Sequence, residues 1–223
     1  MLFRSDIVLR LAAGGIESAM SELREAEIGP EGKPDRAWIA GLDLAFRFPP
    51  PPANPADLAP SVEVSVALDQ FEAPETLTLP LGQTVERVIA ELALIGPLPA
   101  RADRESVDAW RKAGGTFEIR QVAGNWGPLG VDGDGTLALD NDLQMVGAFA
   151  LRLSGYEEAL NALVAAEMVR PTAASAAKIV LNLIAKPDSV SGRAVASVPL
   201  TLQEGAVSVG PAILMALPRL TWE

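Results

Sequence analysis

The sequence predicts a mainly β domain of the α+β class: a curved, twisted antiparallel sheet, half-barrel or groove-like, with a helical hairpin packed on it in the C-terminal half. Three observations predict it. Segment after segment alternates apolar and polar residues with a period of two, which gives a strand one greasy face and one wet face. Gly, Pro, Asn and Asp punctuate these segments at short intervals. Helical spacing appears in few places, too few to cover the apolar faces.

The first alternation is Phe3, Ile7, Leu9 and Leu11, broken by Gly14-Gly15. Ile16 to Glu25 is rich in helix formers and reads as a short helix or an irregular crossing before Ala26-Glu27-Ile28. The clearest strand follows, with Trp38, Ala40, Leu42, Leu44, Phe46 and Phe48 alternating with Ile39, Gly41, Asp43, Ala45 and Arg47. It runs into a Pro-rich stretch, residues 49–60, which has too few amide donors for a sheet interior and reads as an extended surface loop.

Val62, Val64, Val66 and Leu68 resume the alternation, and Leu77 to Leu81 adds a short piece to it. Thr84 to Ile95 has helix-compatible composition, but Val88, Ala90, Leu92 and Leu94 alternate, so most of it reads as strand. Asp103 to Ala113 is a helix stopped by Gly114-Gly115. Thr116 to Ala123, Leu129 to Asp140 and Leu143 to Leu153 are three consecutive antiparallel strands, with Asn141 supplying the left-handed residue of the second turn. Ser154-Gly155-Tyr156-Glu157 fits a capping box. It opens a helix bearing Leu160, Leu163 and Val164. Pro171 opens a second helix, whose Ala176, Val180, Leu183 and Ile184 recur at helical spacing, and Lys186-Pro187 ends it. Ala194 to Leu202, a turn at Glu204-Gly205, Val207 and Val209, and an apolar tail from Ile213 close the chain.

The 223 residues fit one domain, long enough to bury a substantial core. With 18 Lys and Arg against 29 Asp and Glu, the net charge is -11 and no basic cluster interrupts it. Nucleic acid is therefore not an expected partner, and an anionic lipid surface is expected to repel the chain too. With no Cys and no His, thiolate nucleophiles, imidazole metal ligands and His-based triads are excluded. Asp132, Asp134, Asp140 and Asp142 lack the calcium-loop pattern, because Leu143 stands where an EF-hand starting at Asp132 needs Glu. Gly130, Gly133 and Gly135 precede a strand and not the helix of a dinucleotide loop. Trp110, Trp126 and Trp222 read as core or rim aromatics. No catalytic, cofactor or metal residue is singled out, and no cofactor is expected.

Area makes the sheet informative. About nine strands of roughly eight to ten residues present a face on the order of 1,200 Å². Two short helices shade on the order of 400 Å² of it. The remainder must curl on itself, pack on a second sheet, meet another subunit or hold a hydrophobic ligand. Trp38, Leu42, Leu44, Phe46, Val64, Leu137 and Phe149 are the candidate ligand-contacting residues of that face.

Ala109-Trp110-Arg111-Lys112-Ala113-Gly114-Gly115, Asn125-Trp126-Gly127-Pro128-Leu129 and Gly133-Asp134-Gly135-Thr136-Leu137-Ala138-Leu139-Asp140 resemble an uncharacterised bacterial envelope family, domain of unknown function 2125, found mainly in alphaproteobacteria. Gly155-Tyr156, Val198-Pro199-Leu200-Thr201-Leu202, Gly205 and Val209-Gly210-Pro211 extend the resemblance, which covers residues 60 to 223 well and the first 60 loosely. The family is in turn remotely similar to envelope proteins typified by AsmA. This resemblance implies a non-enzymatic envelope protein, periplasmic or associated with the inner membrane, that contacts lipid or another hydrophobe. The alternatives are a scaffold for an envelope protein partner and, more remotely, a carboxylate-dependent hydrolase. Family members usually begin with an anchor or signal segment, whereas Met1-Leu2-Phe3-Arg4-Ser5-Asp6 has no such apolar run, so a fragment, a processed form or a mis-started frame is expected.

Overall fold

The computed structural model describes residues 4–12, 15–29, 35–54, 57–99, 101–189, 192–209 and 212–222. Five strands come first: β1 (Arg4–Ala12), β2 (Gly15–Ile28), β3 (Ala37–Arg47), β4 (Pro60–Glu72) and β5 (Thr84–Ile95). Helix α1 (Arg104–Lys112) precedes β6 (Thr116–Trp126), β7 (Leu129–Leu139) and β8 (Met145–Ser154). The helical hairpin is α2 (Tyr156–Ala165) and α3 (Pro171–Ile184), followed by β9 (Lys186–Pro187), β10 (Ala194–Gln203), β11 (Ala206–Val209) and β12 (Ala212–Ala216). All the described strands belong to one antiparallel sheet, ordered β1-β2-β3-β4-β5-β6-β7-β8-β10-β11-β12, with β9 beside β10. β1 and β12 are its edges, and the sheet does not close into a barrel.

Residues 16–25 are strand, not helix or crossing. Their composition favours helix, but Ala19, Ser21 and Leu23 pair with Phe46, Leu44 and Leu42, and a strand beside β3 is stabilised by those pairs more than by local propensity. Leu77 to Leu81 forms no strand. It lies in a turn whose Ala73 amide donates to Gln83 O and whose Leu81 is buried. The tail from Ala212 is a strand, β12. Phe3, Gly14 and Pro55 lie outside the described residues.

A line of bulges crosses β2 to β5. Glu25 and Gln70 have φ of 50° and 49°. Pairing is in register on both sides of them: Arg24 with Gly41 and Ala26 with Ile39, then Gly41 with Asp69 and Ile39 with Phe71, then Asp69 with Arg87 and Phe71 with Val85. Against β6 the register moves by one, because Val85 pairs with Trp126 while Arg87 pairs with Asn125. One spare residue per strand shifts the alternation across this line. Directly paired residues share a face, so Ile39, Phe71, Val85 and Trp126 join the side that bears Leu42, Leu68 and Val88.

Tryptophans secure both ends of the strands. At one end Trp110 of α1 is 4% exposed, lies over Gly115, donates its indole N–H to Ile95 O at 3.0 Å and packs on Phe117 at a centroid distance of 5.2 Å. Trp222 donates to Leu143 O at 3.1 Å beside it. The left-handed residue of the 140–144 turn is Leu143 (φ 58°), not Asn141, and it is buried to 1% exposure, while Asp140 Oδ1 accepts the Asp142 and Gln144 amides. At the other end Trp126 donates to Gly82 O at 2.8 Å. Gly155, and not Ser154, caps α2, and there is no side-chain cap hydrogen bond: Gly155 takes φ 63° where a Cβ would stand 1.8 Å from Pro128 O. The tight backbone approach removes the geometry a capping box needs.

The hairpin packs where expected, with Tyr156 and Leu181 on Ala196 and Val198, joined by Leu153, Leu160, Ala185 and Val209. Its second helix does not bury the residues whose spacing marks it in the sequence. Ala174 and Leu181 are its buried residues, whereas Val180, Leu183 and Ile184 face outward.

Trp110→Ala should lower unfolding stability by about 3–5 kcal/mol, read as an earlier denaturant midpoint. Helix α1 should also loosen in acid. The Ser106 amide holds the Asp103 carboxyl below its ordinary range, and Lys112 with Arg111 does the same to Asp108. Groups lowered on folding stabilise above their unfolded pKa, about 3.9, and that contribution disappears as pH falls through the lowered folded value. Hydrogen exchange of the α1 amides should therefore accelerate over that window, and Asp103→Asn with Asp108→Asn should flatten the acceleration.

Candidate functional site

The two faces of the sheet differ sharply in chemistry. Successive pairs Phe46–Val64, Val64–Leu92, Leu92–Ile119, Ile119–Gly135, Gly135–Phe149, Phe149–Leu200 and Leu200–Val209 trace one unbroken row across eight strands. The neighbouring row is Leu44, Val66, Ala90, Val122, Gly133, Leu151 and Val198, and the next is Leu42, Leu68, Val88, Gly124, Val131, Leu153 and Ala196. Phe117, Leu137 and Leu202 lie in a fourth. No charged side chain occurs in these rows. A bulge at Arg120 and Gln121 of β6 keeps them aligned, since without it Val122 would turn to the opposite side.

The charges collect on the other face. Arg24 reaches Asp43 at 2.6 Å, Arg120 reaches Glu63 at 2.7 Å, and Arg152 spans Asp132 at 3.8 Å and Asp188 at 3.1 Å. Asp43 holds the Arg24 guanidinium above its ordinary pKa. Exposed pairs of this kind add little stability; their consequence is sidedness. A shallow hollow of about 300 Å³ lies among Asn125, Asp132, Arg152, Ser154 and Asp188, and its guanidinium is occupied by the two carboxylates.

Six of the seven candidate residues, Leu42, Leu44, Phe46, Val64, Leu137 and Phe149, share the apolar face, each half-buried among its neighbours. Trp38 does not. It lies beyond the bulge line, pairs with Glu27 and Glu72 and falls on the charged face, because the spare residue at position 40 reverses the strict alternation. Sequence reasoning missed Ile39, Phe71, Val85 and Trp126 on the apolar face for the same reason. Leu92 stands in the Val88 to Leu94 alternation, whereas Ile119 joins the face only through its pairing.

Glycine shapes the centre of this face. A Cβ at Gly135 would stand 2.3 Å from the Phe149 ring, and one at Gly133 would stand 2.8 Å from Leu151 Cδ2, so large side chains lie across the glycines of the neighbouring strand. Large residues laid over glycines make a low, smooth surface and let the sheet bend.

Among the described residues, the hairpin packs on this face through Leu153, Ala196, Val198 and Val209 of β8, β10 and β11, and α2 also touches β7, leaving β3 to β6 uncovered by it. Overall the chain exposes 14451 Å², whereas a compact monomer of 23.4 kDa exposes about 9,700 Å² by area–mass scaling. The excess fits an open sheet and rules out one curled fully around its own side chains. Among the described residues no polar or charged residue is buried, and no helix is long and apolar enough to cross a membrane. Such a face offers no donor, acceptor or charge with which to orient a reacting group. Covering apolar area on such a face is worth about 2.5 kcal/mol for each 100 Å².

Neither a curated protein nor a solved structure matches the chain. A bacterial family does, its profile aligning with residues 4–218, which takes in the apolar rows, the bulge line and the helical hairpin. From the first described strand to the tail beyond β12, the chain thus belongs to the family described as an uncharacterized protein conserved in bacteria, domain of unknown function 2125.

Proposed function

We propose that the protein is a non-enzymatic lipid- or hydrophobe-binding module of the bacterial envelope, holding acyl chains against the apolar rows of its sheet. One observation carries this reading: an apolar face eight strands wide is left without enough protein to cover it. Of a face on the order of 1,200 Å², the hairpin leaves on the order of 800 Å², well above the few hundred Å² that soluble monomers leave exposed. In the same proposal, the protein is remotely akin to AsmA-type envelope proteins and has a periplasmic or inner-membrane-associated setting. The low surface made by Gly133, Gly135, Phe149 and Leu151 suits an extended chain with no fixed polar anchor. Selectivity is then for apolar length and not for a headgroup.

Gently purified protein examined by native mass spectrometry should carry co-purifying lipid, and an environment-sensitive apolar dye should compete with it. Leu44→Glu and Val66→Glu, placed away from the hairpin, should retain the strand circular dichroism and lose at least about tenfold in dye affinity, because a carboxylate on this face must be desolvated when the ligand lies over it. Lipid-free protein together with unchanged dye binding in both variants would remove the basis for this function.

A further inference from the structure

The outward surface of α3 is a second apolar surface, set on the side of the hairpin away from the sheet. Ala174 and Leu181 face inward. On the opposite side Ala176, Ile179, Val180 and Leu183 follow one another at the i, i+3, i+4, i+7 spacing that lines one face of a helix. Ile179 is 71% exposed and Leu183 85%, and Met168, in the turn ahead of the helix, is 65% exposed. Scattered exposed leucines need no explanation; a stripe of them on one helix does.

Charge around the stripe runs against the rest of the chain. Overall the protein carries -11, yet residues 168–187 contain Arg170, Lys178 and Lys186 and no Asp or Glu. Arg170 is the N-cap of α3, gives it no side-chain cap hydrogen bond, and stands where the helix dipole disfavours a cation. Lys178 donates to Asn161 of α2 at 2.5 Å. The nearby acids are Glu157, which accepts from Asn182 on α3, Glu158 and Glu167 of α2 and the turn after it, and Asp188 just beyond Lys186, whose carboxylate is paired with Arg152 at 3.1 Å.

We propose that α3 docks the hairpin on the surface of a phospholipid bilayer, with Ile179, Val180 and Leu183 entering the acyl boundary and Arg170 and Lys186 meeting lipid phosphates. Fourteen residues make a helix of about 21 Å, too short to span a bilayer of about 30 Å and long enough to lie in its surface. Interfacial helices combine an apolar face with flanking cations in this way. The cations act within a Debye length of about 8–10 Å, so they hold lipid phosphates locally even though the whole chain is acidic. This docking is independent of whether the sheet itself carries a ligand.

Flotation of the purified full chain with vesicles tests it, using phosphatidylcholine alone and phosphatidylcholine mixed with phosphatidylglycerol. The wild-type chain should float with both. The exposed double variant Ile179→Asp with Leu183→Asp should keep its circular dichroism and lose at least about tenfold in partitioning, since two large apolar contacts are replaced by charge. Arg170→Glu with Lys186→Glu should weaken binding to the phosphatidylglycerol vesicles more than to phosphatidylcholine alone. Ile179→Asp with Leu183→Asp should leave the apolar-dye affinity of the sheet unchanged, which separates this surface from the ligand-binding face. A wild-type chain that stays unfloated with both vesicles, or a double variant that floats equally well, overturns the proposal. So does a stripe that seats a second copy: a dimer in sedimentation that the double variant converts to monomer, with no vesicle binding by either.

Discussion

Everything in this fold depends on keeping side-chain alternation in phase from one strand to the next. A period of two is unforgiving, because a slip of one residue exchanges the greasy face for the charged one. The sheet tolerates irregularity only where neighbouring strands share it or where register absorbs it. β2 to β5 carry their spare residue at the same level, Glu25 and Gln70 with positive φ on alternate strands, and β6 has its own extra residue near Arg120. The bulges thus preserve the two-sided character of the sheet while allowing it to bend.

The two-sided sheet explains the placement of the other parts. Tryptophans gather at the ends of the strands, where an indole N–H can reach a backbone carbonyl and the ring can cover the last apolar row. The charged residues are left on the face that water solvates. The hairpin has one side to give to the sheet, through Tyr156, Leu160 and Leu181, and its other side is necessarily turned outward.

Much of this was legible in the sequence, for an identifiable reason. In β3, β4, β7 and β10 the alternation is carried by Val, Leu and Phe over several residues, and each is recognisable as a strand without its partners. β2 was hidden because Glu, Ala, Met and Arg favour helix locally, and only its neighbour makes it a strand. The alternation puts Trp38 on the face opposite to the one it occupies, because a bulge within a strand is a property of pairing, invisible in one segment alone. The buried side of α3 is not legible in its spacing, because a helix that is apolar nearly all round does not announce which side it buries. Ser154 matched a capping pattern, but the left-handed Gly155 pressed against Pro128 claimed the position.

The strand order has a consequence for how such a protein folds and diverges. Apart from β9, each strand pairs with the one before it in the chain, and α1 and the hairpin are excursions between strands that are already neighbours. Assembly can therefore proceed by addition at a growing edge, without waiting for a distant partner to close a long loop. The same arithmetic applies to gene change: a hairpin gained or lost at either edge alters the width by about 10 Å and leaves every interior register intact. Sheet width is thus a freely adjustable dimension of this architecture, whereas the phase of its bulges is not.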